Sequence, residues 1–94
     1  MAVTELRAAA AVILLQRVLA RDLEPDAALR EWPDIDTESD ELLAASWHDL
    51  SHYAADEDIR AKDLRYANFQ TELLKRRIEE IKQKFSNRRR AADE

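Results

Sequence analysis

Apolar residues return every three or four positions along almost the whole chain, so the pattern predicts helices and no strands. The N-terminal run is the most apolar. Thr4 has the character of an N-cap, Glu5 follows in the first turn, and nothing breaks a helix before Leu23. Ala8, Val12, Leu15, Leu19 and Leu23 form one stripe, while Leu6, Ala10 and Ile13 form a second. Leu14 and Val18 widen the apolar surface, leaving Arg7, Gln16, Arg17 and Arg21 as its polar part. A helix apolar on so many sides is either central to its bundle or covered by another chain.

Pro25 suits the first position of a short helix that Ala27 to Glu31 complete. Trp32 precedes Pro33, which drives it out of the helical region and stops the element, and Trp32 is read as a lid over the end of the core. An acidic loop over 33–38 follows, with Asp36, Thr37 or Ser39 as the next N-cap and Thr37 with Asp40 at capping-box spacing. A third helix is predicted from about Glu38 to Ala55, burying Leu43, Trp47, Leu50 and Ala54, with Leu42, Ser46 and Tyr53 at the borders. Residues 56–63 read as a polar connection in which Ile59 is the one large apolar anchor and Asp63 caps what comes next. A last helix runs from about Leu64 to Asn87, roughly 36 Å long. Its seam is Leu64, Ala67, Thr71, Leu74, Ile78, Ile81 and Phe85, spaced like a coiled coil and broadened by Tyr66, Phe69 and Leu73. Glu72 with Arg76, and Glu80 with Lys84, have the order of helix-surface ion pairs. The expectation is an all-α single domain over 1–87, a small bundle of three main helices plus one short helix, with a long C-terminal helix and a frayed tail over 88–94.

Composition narrows the chemistry. The chain has 94 residues, no glycine and no cysteine. Glycine-dependent phosphate loops, dinucleotide turns and EF-hand loops are therefore excluded, as are disulfides, thiolate zinc sites and thiol catalysis. The net charge of −5 hides an asymmetry: residues 24–63 sum to −10 and residues 64–94 to +4. Such a chain can pair with itself or offer an acidic face to a basic partner, the plainer alternative being solvated faces of different sign. The apolar run Ala8 to Leu15 is far short of the roughly 20 residues that span a bilayer. As a signal core it is spoiled by Glu5 against Arg7 and by Gln16 and Arg17. No membrane association is expected, and a cytoplasmic location is.

Chemistry-bearing residues concentrate around Trp47. His48, His52 and Asp56 lie four apart on one helical face, a spacing that can hold zinc, yet Asp49 replaces the glutamate of the zincin pattern. The competing reading is a pair of interfacial histidines beside Trp47. Asp56, Asp58 and Asp63 suggest calcium, but Arg60 and Lys62 occupy the alternate positions where oxygen ligands would stand. Structure explains them better: Asp63 caps the long helix and Arg60 ties the turn together. Ser39, Ser46, Ser51 and Ser86 have no nucleophile-elbow context, so no catalytic residue and no cofactor are expected. Lys75, Arg76, Arg77, Lys82, Lys84 and Arg88 to Arg90 could meet phosphates, but Glu79 and Glu80 interrupt them and nucleic acid is not the expected partner.

The run Trp47-His48-x-Leu50-x-His52-Tyr53-x-x-Asp56-x-Asp58-Ile59-Arg60-x-x-Asp63-x-x-Tyr66 resembles small all-helical bacterial proteins to which no activity is attached, as does Ala28-Leu29-x-x-Trp32-Pro33. In size and acidity alone the chain is also similar to the immunity proteins of colicin-type nucleases, an analogy of fold and not of site. The functional expectation is a non-enzymatic helical module that binds a protein or a second copy of itself. The alternative is an acidic inhibitor of a basic enzyme, steered by Asp36, Glu38, Asp40, Glu41 and the Asp56–Asp58 cluster. Trp32, Trp47, His48, His52, Asp56, Asp58, Ile59, Arg60 and Asp63 are the residues expected to carry interaction or structure.

Overall fold

The computed structural model describes residues 3–33 and 35–93, with side chains over 5–33 and 35–85. The elements are α1 (Val3–Leu19), α2 (Pro25–Glu31), a 3-10 turn (Ile35–Thr37), α3 (Glu41–Ala55), α4 (Glu57–Lys62) and α5 (Leu64–Asp93), with no strand among the described residues. The all-α architecture with a long last helix is as the periodicity predicts. At 30 residues α5 is about 45 Å long, which accounts for most of the molecule's 49 Å long axis.

α5 packs against both α1 and α3, and α2 closes over α3 and α1. Leu15 of α1, Leu43 and Leu50 of α3, and Leu74 and Ile81 of α5 are fully buried where these helices meet. Ile78 and Phe85 extend the α5 contribution, so the lower part of its seam is filled by its own chain. Trp32 is buried at the end of α2, with extended backbone just before Pro33, as the Trp-Pro pair predicts. Ser46 was expected at a border but is wholly buried, its hydroxyl donating to the Leu42 carbonyl at 2.8 Å.

The last helix continues to Asp93, past the expected end near Asn87 and through most of the tail expected to fray. Three other helix ends depart from the expectation, each for a local reason. Thr4 already lies inside α1 and so does not cap it. α1 stops at Leu19 and not Leu23, because Arg21 takes a left-handed φ of 61°. The Asp22 amide then donates to Arg17 O and the Arg21 amide to Val18 O, the paired closure usual where glycine ends a helix. With no glycine in the chain, an arginine bears the left-handed conformation.

The N-cap of α3 is Asp40, whose side chain accepts from the Leu43 amide at 3.0 Å, and not Asp36, Thr37 or Ser39. Glu38 is the reason. Its side chain is only 1% exposed, paired with Arg7 of α1 at 3.4 Å, and its other oxygen accepts from the Asp40 amide at 2.9 Å. That inward pull gives residues 35–37 a turn of their own and delays α3 by three residues.

The surface ion pairs also differ. Glu72 pairs with Lys75 and Glu80 with Arg77. Lys84 instead reaches Asp40 at 2.6 Å, and Arg77 reaches Asp49. Burial pushes the Asp40 carboxyl up, but the hydrogen bond and charge of Lys84, with the Leu43 and Leu42 amides, outweigh it and hold it below its ordinary 3.8.

Two measurements follow from these ends. Arg21→Gly should stabilise the domain, by up to about 1 kcal/mol, since glycine takes the left-handed region without the steric cost; a lower melting temperature would show that Arg21 is held for another reason. Asp40 has a folded value below its unfolded one, so its contribution is complete above the ordinary carboxylate value and disappears as pH falls through the lower folded value. Lys84→Ala should therefore raise the pH midpoint of acid unfolding and cost up to about 1 kcal/mol near neutrality, the pair being partly exposed. An acid transition unchanged from the parent would disconnect Lys84 from Asp40.

Candidate functional site

Of the residues singled out between Trp47 and Tyr66, Tyr53, Asp56, Arg60, Asp63 and Tyr66 gather at the corner where α3 turns through α4 into α5. Asp56 ends α3, and its carboxylate accepts from the Tyr66 hydroxyl at 2.5 Å and from the Gln70 amide at 3.1 Å. Arg60 of α4 lays its guanidinium 3.6 Å from the centre of the Tyr53 ring. From there it donates to the Tyr53 carbonyl and, at 2.9 Å, to the Gln70 side-chain oxygen. Gln70 is the hub. It is only 6% exposed, and its amide also reaches the Tyr66 hydroxyl at 3.2 Å. Asp63 caps α5 as expected, one carboxylate oxygen accepting from the Arg65 and Tyr66 amides.

Every partner in this corner is another member of it. A buried polar network of that kind orders the chain. Gln70 escapes sequence reasoning because a glutamine in a charged helix carries no signal; only the seven-residue spacing of Gln70, Arg77 and Lys84 hints at a shared face.

One expected anchor is overturned. Ile59 is 49% exposed, and α4 buries none of its six residues. The connection folds as a short helix whose polar side, through Arg60, faces the body, and this rotates Ile59 outward. Trp47 is partly buried against the core, its ring edge-on to His48 at 5.3 Å. His48 and His52 are both exposed, as is Asp58. Among the described residues no three His, Cys, Asp or Glu side chains come together as a metal site, and the Asp56 carboxylate is turned to Tyr66 and Gln70.

The acidic surface imagined for a basic partner is also thinned. Glu38 and Asp40 point inward to Arg7 and Lys84, and Asp56 is held in the corner. Asp36, Glu41, Glu57 and Asp58 remain exposed. On the basic side Arg77 and Lys84 are likewise turned to α3, and the side chains of Arg88 to Arg90 lie outside the described residues. An open cleft of about 230 Å³ beside the corner is lined by Arg21, Glu24, Asp26, Glu57 and Arg60 together with Leu23. Its mixed charge favours no one ligand chemistry.

The outer side of α1 is different in kind. Leu6 is 55% and Ile13 54% exposed, and Ala9, Gln16 and Ala20 are exposed between and beyond them. Leu6, Ala9, Ile13, Gln16 and Ala20 stand three and four residues apart, forming an unpartnered seam on the face opposite Ala8, Leu15 and Val18.

The corner can be checked by stability and by titration. Gln70→Leu should cost about 1–3 kcal/mol by stranding Asp56 and Arg60, and Asp63→Ala about 1 kcal/mol. Ile59→Ala should cost less than about 1 kcal/mol, as for other exposed positions; urea unfolding that ranked Ile59 first would reverse the assignment. The hydrogen bond to Asp56, helped by partial burial, holds the Tyr66 phenol above its ordinary 10.0. Its contribution is present below the ordinary value and is lost as pH rises through the higher folded one. Ultraviolet titration should show Tyr66 ionising late, and Asp56→Asn should bring it back.

Comparison with protein-family models, with curated proteins and with solved structures gives no match.

Proposed function

We propose that this chain is a non-enzymatic helical interaction module that docks through the outer face of α1. The observation that carries this reading is the exposure of Leu6 and Ile13 at helical spacing on one stripe without an acidic residue. Ile59 of α4 and Leu64 and Phe69 at the start of α5 are exposed too, but beside the charged residues Asp58, Asp63 and Arg65. An amphipathic surface helix ordinarily turns charged residues to water. A contiguous apolar strip on the outside of a small domain marks an interaction surface. The closed hydrogen bonding of the α3–α5 corner supports the non-enzymatic part, since its titratable groups are occupied with one another.

Leu6→Ser/Ile13→Ser tests the reading. Both positions are half exposed, so the double variant should melt close to the parent, with each change costing about 0.5 kcal/mol. The tagged parent, purified from its native host, should form a complex of fixed stoichiometry that the double variant loses. A variant that keeps the same complex would show that α1 is not the docking face.

A further inference from the structure

We infer that the occupant of the α1 face is a second copy of the same face, packed antiparallel about a twofold axis at Ile13; this rests on the docking role proposed for α1. Charge selects the partner. Between residues 6 and 20 the helix has no acidic side chain, whereas α2, α3, α4 and α5 each carry at least two. Its two cations in that stretch are already committed, Arg7 to the buried Glu38 and Arg17 to Asp22 at 3.3 Å. An acidic partner would find no uncommitted cation on the stripe, and a basic partner would be drawn to the exposed acids of the other elements. A chain of net charge −5 meets itself with least acid–acid repulsion through residues 6–20, which follow Glu5, the single acid of α1.

The seam is also complementary to itself. With Ile13 on the axis, the level of Leu6 coincides with that of Ala20 on the other copy, and the level of Ala10 with that of Gln16. Ala9 then lies under the aliphatic stem of the opposing Arg17. Each large side chain away from the axis thus meets a small one, which keeps the helix separation constant. A parallel pair would put Leu6 on Leu6 and Ala9 on Ala9, alternately forcing the helices apart and leaving a gap. The antiparallel pair also opposes the two helix dipoles. The helical hydrogen bonding runs far enough for this register, since the Ala20 amide still donates to Gln16 O at 2.9 Å. The stripe offers on the order of a few hundred Å² per copy, against roughly 800 Å² per partner in a standard interface. The pairing is therefore weak and reversible.

The chain has no cysteine, so single cysteines report the geometry without background. Sedimentation of the pure full chain up to about 1 mM should show a monomer–dimer equilibrium. Ile13→Glu should weaken it by about tenfold or more while melting as the parent does. Ile13→Cys, on the axis, should oxidise to a disulfide dimer. Leu6→Cys should not link to itself, but should link when mixed with Ala20→Cys. A strictly monomeric parent, or a dimer untouched by Ile13→Glu, overturns the inference, and ready self-linking of Leu6→Cys overturns the antiparallel arrangement. If the pure chain is monomeric but a host complex with a different protein is lost in Leu6→Ser/Ile13→Ser, self-pairing falls and the docking role of α1 stands. If that complex also survives the double change, both fall.

Discussion

Asp40 at the N-cap of α3, Asp49 within it and Asp56 at its C-cap meet Lys84, Arg77 and Gln70 on α5, and these three rungs decide how the two helices slide and face. On α5 the rungs are seven residues apart, so they share a face next to the core positions Leu74, Ile78 and Ile81. On α3 they run from the C-cap, Asp56, to the N-cap, Asp40. Apolar contact alone tolerates a shift of one helical turn, since leucine replaces leucine. A shifted ladder would leave partly buried charges without partners, which costs far more than a correct rung contributes. The ladder acts by excluding other registers more than by adding stability.

The charge asymmetry of the sequence acquires a different meaning in that light. A middle segment of −10 facing an end of +4 invites thoughts of a charged partner. Within the fold much of the opposition is internal, because the aspartates of α3 meet the cations of α5. Arg7 and Glu38 extend the same logic to α1. What reaches the surface is a set of acids thinned of Glu38, Asp40 and Asp56, and one helix face with no acid at all. Net charge counted along a chain overstates what a partner can feel.

Helix content and the core were legible because they rest on periodicity, and periodicity is local. Trp32 before Pro33 and Asp63 before α5 could be read for the same reason, each acting within a few residues of itself. Ile59 could not. Whether it is buried depends on how Arg60 is drawn to Tyr53 and Gln70, and Gln70 is ten residues from Arg60 along the chain. The start of α3 was missed because a residue from another helix, Arg7, captures Glu38. Glu80 was matched with Lys84 on spacing alone, but Asp40, 44 residues from Lys84, offered a drier site. Long-range capture of a charge leaves no trace in local spacing.

The same capture reinforces what hydrophobicity already favours at α1. The inward face carries Ala8, Ala11, Leu14, Leu15 and Val18, against Leu6, Ile13, two alanines and Gln16 on the outer one, so burial favours this rotation. Arg7 fixes it further, because successive side chains stand about 100° apart around a helix and only one rotation brings Arg7 to Glu38. With the Glu38 carboxylate almost wholly buried, the other rotations would leave a desolvated charge alone, a cost of several kcal/mol. Burial of the richer face and one buried ion pair thus act together, and Leu6 and Ile13 are left outside by both.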